Sequence, residues 1–519
     1  MQKKFNITGI CRPAKHYMAD VSGKLAQTLA MVEDGDYFII NRPRQYGKTT
    51  TLYTLAELLE KNGNYLVFNI SFEGVGSHFF EEEPVFCRGF IRLLADYANF
   101  RAPELLDWLN ENALQKNSIH ELSDFITQLA NKTEKKIVLL IDEVDKSSNN
   151  QLFIDFLAML RNKYLAQDLA KTFHSVVLAG VHDIKSLKLK LRPDSEQKYN
   201  SPWNIAAEFT VDMNLQPLEI IPMLEEYARD KQVALDPKPI AERLFYYTSG
   251  YPFLVSKLCK IIDEQLLPNK TALSLITEDV DLAASMVVRE TNTNFESLIK
   301  NLEHYPDLYN LVYKKLIDQE YQSYSIHDPT VALGLMHGML KNGQGISIHN
   351  RIYEEVIYAY MTSKATAQVL MGSYNVPRNF RLPDNQLNME AILLKFQAFM
   401  REQDSAKDRD FLERNGRLVF LAFIKPIING SGYDFKEPQI SEERRLDVVI
   451  TYLQHKYIAE LKIWRGPEAH AEGLTQLADY LDRQALHEGY LLVFDHSKKK
   501  SWKSGWEEVL GKKVFVVWV

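Results

Sequence analysis

Asn41-Arg42-Pro43-Arg44-Gln45-Tyr46-Gly47-Lys48-Thr49 joins a short apolar run, YFIIN at 37–41, to a helical stretch running from Lys48 to about Lys61. A polar, turn-prone segment that opens a helix suits an anion, because the first turn presents unpaired N–H groups and a partial positive charge. Gly47 lets the backbone approach a phosphate closely. Lys48 would reach the β- and γ-phosphates, and the Thr49 hydroxyl would ligate Mg²⁺. The usual spacing is G-x-x-x-x-G-K-[ST], and here Arg42 stands at the first glycine position.

Downstream, 65–72 (YLVFNISF), 136–142 (KIVLLID) and 173–180 (FHSVVLAG) read as strands, with a fifth at 208–213. Residues 84–100 and 119–133 read as helices between them. The run at 136–142 shows no polar alternation, which suggests burial on both faces, and short apolar strands alternating with helices predict a doubly wound, mostly parallel α/β sheet ending near Leu215. The strand at 136–142 ends in Asp142-Glu143. A carboxylate there holds the water shell of Mg²⁺, and the one beside it polarises the attacking water. The plainer alternative is two surface acids at a strand end. Asp145 reads as a helix cap or a surface acid.

Length and composition frame this core. At roughly 100–200 residues per domain, 519 residues predict about three or four domains. A composition of 46% hydrophobic and 25% charged residues excludes a collagen, a disordered tail and a disulfide scaffold. A formal charge of −7 excludes a polybasic binder but not a local basic groove. The whole of that charge lies in residues 1–388, since 389–519 carry equal numbers of acidic and basic side chains. The 3 cysteines form no C-x-x-C pair for zinc or redox chemistry. Neither a signal peptide nor an apolar run of the roughly 18–20 residues a membrane span needs is visible. The expectation is a reduced, cytoplasmic protein with no membrane partner.

From 216 onward the pattern turns helical, at 218–231, 239–248, 252–267 and 277–291. Residues 331–361 read helix, Gly-containing turn, strand (GISIHN) and helix (RIYEEVIYAYM), the order of a winged-helix-like module. The expected division is therefore a core at 1–215, a helical lid and winged-helix-like region at 216–362, a polar linker at 363–388 and a third domain at 389–519.

In that third domain, 446–452 (LDVVITY) and 456–464 (KYIAELKIW) read as a hairpin. With a two-residue loop at 453–454, the numbers of facing residues total 907, which sets Asp447 across from Glu460. Lys462 shares the face of Glu460, because side chains alternate along a strand. Two hard carboxylate ligands suit Mg²⁺ or Mn²⁺, which activates water for phosphodiester attack, and a lysine alongside steadies the transition state. The alternative is an edge hairpin whose charges pair on its solvent face.

The stretch from about 5 to 361 resembles the AAA-like ATPase family, within the signal-transduction ATPases with numerous domains (STAND). The resemblance is carried by Arg42-Pro43-Arg44, Ile141-Asp142-Glu143 and Gly250-Tyr251-Pro252 in the lid. It makes Arg42 a family trait and implies a P-loop NTPase fold that binds ATP. The implied nucleotide contacts are Arg44, Gly47, Lys48, Thr49 and Thr50, with Asp142 on the metal and Glu143 catalytic. It also implies a polar sensor after a strand lying between the phosphate-loop strand and the acidic strand. The run at 173–180 fits, leaving His182 or Asp183.

Asp-x₁₂-Glu-x-Lys over 389–519 resembles the PD-(D/E)xK nuclease superfamily. Gln476 and Tyr480, at i and i+4 on a helix at 468–483, look like the Q-x-x-x-Y helix of some members. That resemblance implies a restriction-endonuclease-like fold, with Asp447 and Glu460 on the metal and Lys462 and Gln476 catalytic. A further acid comes from the first helix, Glu413 or alternatively Glu402. Together the two resemblances imply an ATP hydrolase coupled to a Mg²⁺-dependent DNase-like domain with DNA as partner, as in defence or mobile-element systems, with a homo-oligomer left open. One alternative is an ATP-driven switch whose last domain only grips nucleic acid or a protein. Another, a winged-helix transcription factor, lacks a Lys/Arg-rich recognition helix in 331–361.

Overall fold

Tyr37–Asn41 (β1), Tyr65–Ser71 (β2), Lys136–Asp142 (β3) and Ser175–Gly180 (β4) pair in the order β1-β4-β3-β2, all parallel. The computed structural model describes residues 3–147, 150–181, 203, 205–318, 325, 327–343, 345–369, 380, 382–384, 386–403, 416, 418–421, 423–424, 427, 432–435, 448–452, 455–495, 497 and 500–519. They fall into two compact units, one of Met1–Lys315 with Tyr321–Val356, the other of Leu316–Glu320 with Ile357–Val519.

In the first unit every residue of β4, and all of β3 after Lys136, is buried, as a parallel sheet covered on both faces requires. Ser22–Glu33 (α1), Lys48–Asn62 (α2), Glu83–Arg101 (α3), Leu106–Gln115 (α4), Ile119–Asn131 (α5) and Gln151–Leu165 (α6) surround it. One core takes Ile39, Phe68, Leu139 and Leu178 from the strands and Phe90, Phe125 and Phe156 from α3, α5 and α6. Register then aligns the strand ends. Asn41 faces Gly180 and Ser71 faces Asp142, so the segments leaving β1, β3 and β4 emerge along one edge. The carboxyl edge of a parallel sheet is where open α/β folds place ligands.

The expected strand at 208–213 does not form. Ala207 makes a single bridge to Phe38, donating to the Tyr37 carbonyl at 2.9 Å. The Arg42 guanidinium explains the lost ladder, because it donates to the carbonyls of Val211 at 2.8 Å and Phe209 at 3.4 Å and lies 5.2 Å above the Phe209 ring. A side chain thus takes acceptors that a neighbouring strand would have used.

Pro217–Lys231 (α7), Pro237–Thr248 (α8), Pro252–Ile261 (α9) and Thr277–Arg289 (α10) follow, then Thr293–His304 (α11) and Pro306–Tyr313 (α12). The helix expected at 252–267 stops early, giving way to a π turn at Ile262–Leu266 just before Pro268, which has no N–H to continue an α-helix. Gly250 is required twice over. Its φ is +75°, and a Cβ there would lie 2.3 Å from the Leu215 carbonyl oxygen. Pro329–Met336 (α13), the antiparallel pair Leu340–Asn342 (β5) and Ile346–Ile348 (β6), and Arg351–Val369 (α14) complete the helix–hairpin–helix order, with two paired strands where one was expected. Helix α14 runs to Val369, so residues 363–369 of the expected linker are helical.

Among the described residues the second unit holds a mixed six-stranded sheet. Gly432–Phe435 (β7), Val448–Tyr452 (β8) and His455–Ile463 (β9) form an antiparallel meander, and Glu488–Phe494 (β10) joins β9 in parallel. Lys512–Trp518 (β12) runs parallel to β10 and carries Ser504–Val509 (β11) on its far edge. Met389–Gln403 (α15) packs Ile392, Phe396 and Phe399 on one face of this sheet. Pro467–Arg483 (α16) packs Leu474, Leu477 and Leu481 on the other. No described helix is long and apolar enough to cross a membrane.

Candidate functional site

Gly47 caps α2 with φ +81°, a left-handed turn that only glycine adopts without strain, and aims the helix N-terminus at the sheet edge. Gln45, two residues earlier, also has a positive φ, +58°. Lys48 is buried, at 7% exposure, and its ammonium donates to the Arg42 carbonyl at 2.9 Å and the Pro43 carbonyl at 2.8 Å. Burial pulls its pKa down, while the carboxylates of Asp145, Glu143 and Asp142 push back. Thr49 and Arg44 are exposed, and the half-buried Thr50 accepts the Cys11 N–H at 3.1 Å.

Asp142 is buried at the end of β3 and accepts the Glu143 N–H at 2.9 Å. Glu143 has φ +56°, costly for a side chain with a Cβ. Burial raises its pKa, and the neighbouring Asp142 charge adds to the rise. β4 does lie between β1 and β3, while the sensor candidates His182 and Asp183 fall outside the described residues. Asp145 is half-buried, and its carboxylate accepts the Val181 N–H at 2.6 Å.

Beside the loop opens a mainly apolar cleft enclosing about 790 Å³, part of it open to solvent. Gly47 and Thr50 contribute to its lining, and Tyr17, Leu25, Val211 and Met223 supply apolar surface. An apolar slot beside an anion site suits a ligand with a flat base and a charged tail.

The loop is also gripped from the helices and the β5–β6 hairpin region that follow the sheet by residues the sequence did not single out for this. Tyr251 donates to the Arg44 carbonyl at 2.5 Å. Asn294 of α11 donates to the Gln45 side chain at 3.0 Å and accepts from Tyr353 of α14 at 2.7 Å. Pro43 packs on Gly338, where a Cβ would lie 2.5 Å from the proline ring. His349 lies 2.7 Å from the Tyr46 hydroxyl, which itself donates to Asn214. With Asn350 donating to Nδ1 at 3.3 Å, the network assigns the His349 proton to Nε2. Burial holds His349 down to about 3, so it is neutral. His349 sits after a strand with no periodic signal, so nothing in the sequence marks it.

In the second unit the pairs Val448–Ala459, Ile450–Tyr457 and Tyr452–His455 all keep the total of 907. Asp447 and Glu413 lie outside the described residues. Glu402 falls on α15, whose first described turns line the core. Glu460 is 1% exposed, and Lys462, with 37% of its side chain exposed, donates to its Oε1 at 2.9 Å. Lys462 also reaches Gln476 Oε1 at 3.4 Å, and its stem passes over Gly473 of α16. Tyr480 is buried in the adjacent apolar core. Strand alternation and the helical step thus bring Glu460, Lys462 and Gln476 together. Among the described residues no group of three His, Cys, Asp or Glu is placed to hold a metal ion.

The sequence model of the AAA-like domain family matches residues 14–355, ending one residue short of the end of the first unit. No curated protein matches the chain. Among solved structures, it is similar to a Walker-type ATPase of Pyrococcus abyssi at 12% identity, covering 68% of this chain and 99% of that one, with a TM-score of 0.48. It is similar to the ORC2 protein of Aeropyrum pernix in ADPNP–ADP complexes at 13% identity, covering 68% and 96%, with a TM-score of 0.35. It is also similar to the RuvB Holliday junction branch migration motor of Thermotoga maritima at 17% identity, covering 66% and 95%, with a TM-score of 0.34.

Proposed function

Because the chain belongs to the AAA-like domain family, we propose that its first unit binds ATP and hydrolyses it with Mg²⁺. One observation carries this: the phosphate loop and the acidic strand end share one sheet edge, where a buried lysine feels three carboxylates. The Gly47 turn and the α2 N-terminus receive the phosphates, and Lys48 exchanges its loop carbonyls for phosphate oxygens. The base enters the apolar cleft. The Thr49 hydroxyl and the Asp142 carboxylate form the hard-oxygen donor set that suits Mg²⁺, an ion held by few protein ligands together with phosphates. When bound, the ion neutralises charge developing on the phosphates. Glu143, its pKa raised by burial, takes a proton from the attacking water. Binding of a fluorescent ATP analogue and phosphate release by the full chain test this reading, and absence of both overturns it.

The second unit is, in this proposal, a metal-dependent nuclease-like domain acting on DNA. Support comes from the hairpin register and from Lys462 and Gln476 meeting at buried Glu460. Asp447 and Glu413 would supply the remaining carboxylates. The rival, an ATP-driven switch whose second unit only binds nucleic acid or a partner, draws support from the lid and wing gripping the phosphate loop. Plasmid nicking by the full chain in Mn²⁺, with and without ATP, separates the two.

A further inference from the structure

Glu143 holds its left-handed φ of +56° between two pinned neighbours. On one side the Asp142 carbonyl accepts the Phe72 N–H at 3.1 Å. On the other the Asp145 carboxylate accepts the Val181 N–H at 2.6 Å, from the short turn Val144–Ser147. A non-glycine residue keeps such a conformation only where its surroundings over-determine it.

The partner of Asp145 belongs to a single peptide unit with two jobs. The Gly180 carbonyl accepts the Arg42 N–H at 3.2 Å, and the N–H of the same peptide, on Val181, goes to Asp145. The peptide is planar and stiff, so the first residue of the phosphate loop and the turn after Glu143 are tied to opposite ends of one rigid plate. Gly180 makes the approach possible, since a Cβ there would lie 2.9 Å from Asp145 Oδ1 and 2.9 Å from Val144 Cγ2.

We propose that Asp145 is a positioning residue for ATP hydrolysis: by clamping the Gly180–Val181 peptide it holds Glu143 in place and links that place to the phosphate loop. The proposal rests on the reading of Glu143 as the group that polarises water. Asp145 is also the carboxylate that acts most strongly on Lys48, which fits a position facing the phosphate site. The clamp depends on an acceptor oxygen at a set distance, so charge and hydrogen bond are separable.

The test uses the full chain. Asp145→Ala should lower kcat on the order of 10²-fold, the scale of an ångström-sized misplacement, with KM within about threefold. Asp145→Asn keeps an acceptor oxygen and should stay within about threefold of wild type in kcat. Gly180→Ala, which pushes the carboxylate away, should behave like Asp145→Ala, and serves if that variant folds poorly. An unchanged kcat in both Asp145→Ala and Gly180→Ala overturns the proposal, as does Asp145→Asn falling as far as Asp145→Ala. If wild type binds ATP without turnover, the hydrolysis reading falls by itself. Amide exchange at Val181 then decides the clamp: at least tenfold faster exchange in Asp145→Ala supports it, and equal exchange overturns it.

Discussion

The two candidate sites assemble their charges by opposite routes. In the first unit Lys48, Asp142 and the Gly180–Val181 peptide are separated by scores of residues and meet only because three parallel strands end on one edge. In the second, Glu460, Lys462 and Gln476 lie within one strand and the helix after it. The long-range site surrounds one buried cation with three acids and with loop carbonyls. The local site gives one buried acid a half-exposed lysine. Long-range assembly therefore yields a group whose charge state answers to acids nearly a hundred positions away in sequence, whereas local assembly yields a pair that a single substitution undoes.

The largest expected effect breaks the first half of that contrast. Lys48→Ala removes the cation facing the phosphates and should weaken Mg-ATP binding by more than about 10³-fold by calorimetry, since charge-assisted contacts to phosphate are among the strongest. Unchanged affinity would reduce the sheet edge to a structural feature. Glu143→Gln keeps the shape and should leave affinity within about threefold while phosphate release falls on the order of 10²–10³-fold.

Smaller effects probe the local site. Lys462→Ala should leave Mn²⁺ affinity nearly intact and slow plasmid nicking by about 10²-fold, the scale of one transition-state charge partner. Its stability cost should stay below the roughly 3–5 kcal/mol of a fully buried pair, because Lys462 is more than a third exposed. Glu460→Gln should lower Mn²⁺ affinity. If wild type neither binds Mn²⁺ nor nicks DNA in any nucleotide state, the second unit is a binding module and the switch reading takes over.

The last effect concerns pH. His349 in the fold is depressed to about 3, below the unfolded value near 6.5. Below about pH 6.5 the unfolded chain takes up a proton that the native one refuses. Its contribution to stability is thus complete above that pH and drains away as pH falls toward 3, by up to about 1.4 kcal/mol per pH unit. His349→Gln should flatten the acid limb of a urea-midpoint profile between about pH 6 and 4. An unchanged limb would mean that other groups set it.

How much was legible follows from the same contrast. The hairpin register could be counted off, because a two-residue loop and alternating side chains leave one solution, and the total of 907 holds at every described pair. The phosphate loop and acidic strand were each recognisable by local chemistry, and β3 begins and ends where the apolar run does. The strand expected at 208–213 misled because local composition says nothing about competition for its carbonyls, and Arg42 wins that competition. The bond from Val181 to Asp145 left no local signal, because the two residues are 36 positions apart.

The sequence by itself determined the elements and their chemistry: strand, Gly-Lys-Thr turn and helix; an apolar strand ending in two acids; a hairpin with its charges on one face. Each depends on near neighbours, through backbone sterics, burial periodicity and the dipole at a helix start. Only the tertiary structure decided what those pieces touch. Tyr46 meeting His349, Tyr251 reaching the Arg44 carbonyl, and one peptide held between Arg42 and Asp145 all depend on where crossovers return the chain. A single hydrogen bond between such distant residues adds only about 1 kcal/mol. That is too little to leave a pattern along the chain, yet enough, once the sheet has set the geometry, to fix where Glu143 and Lys48 stand.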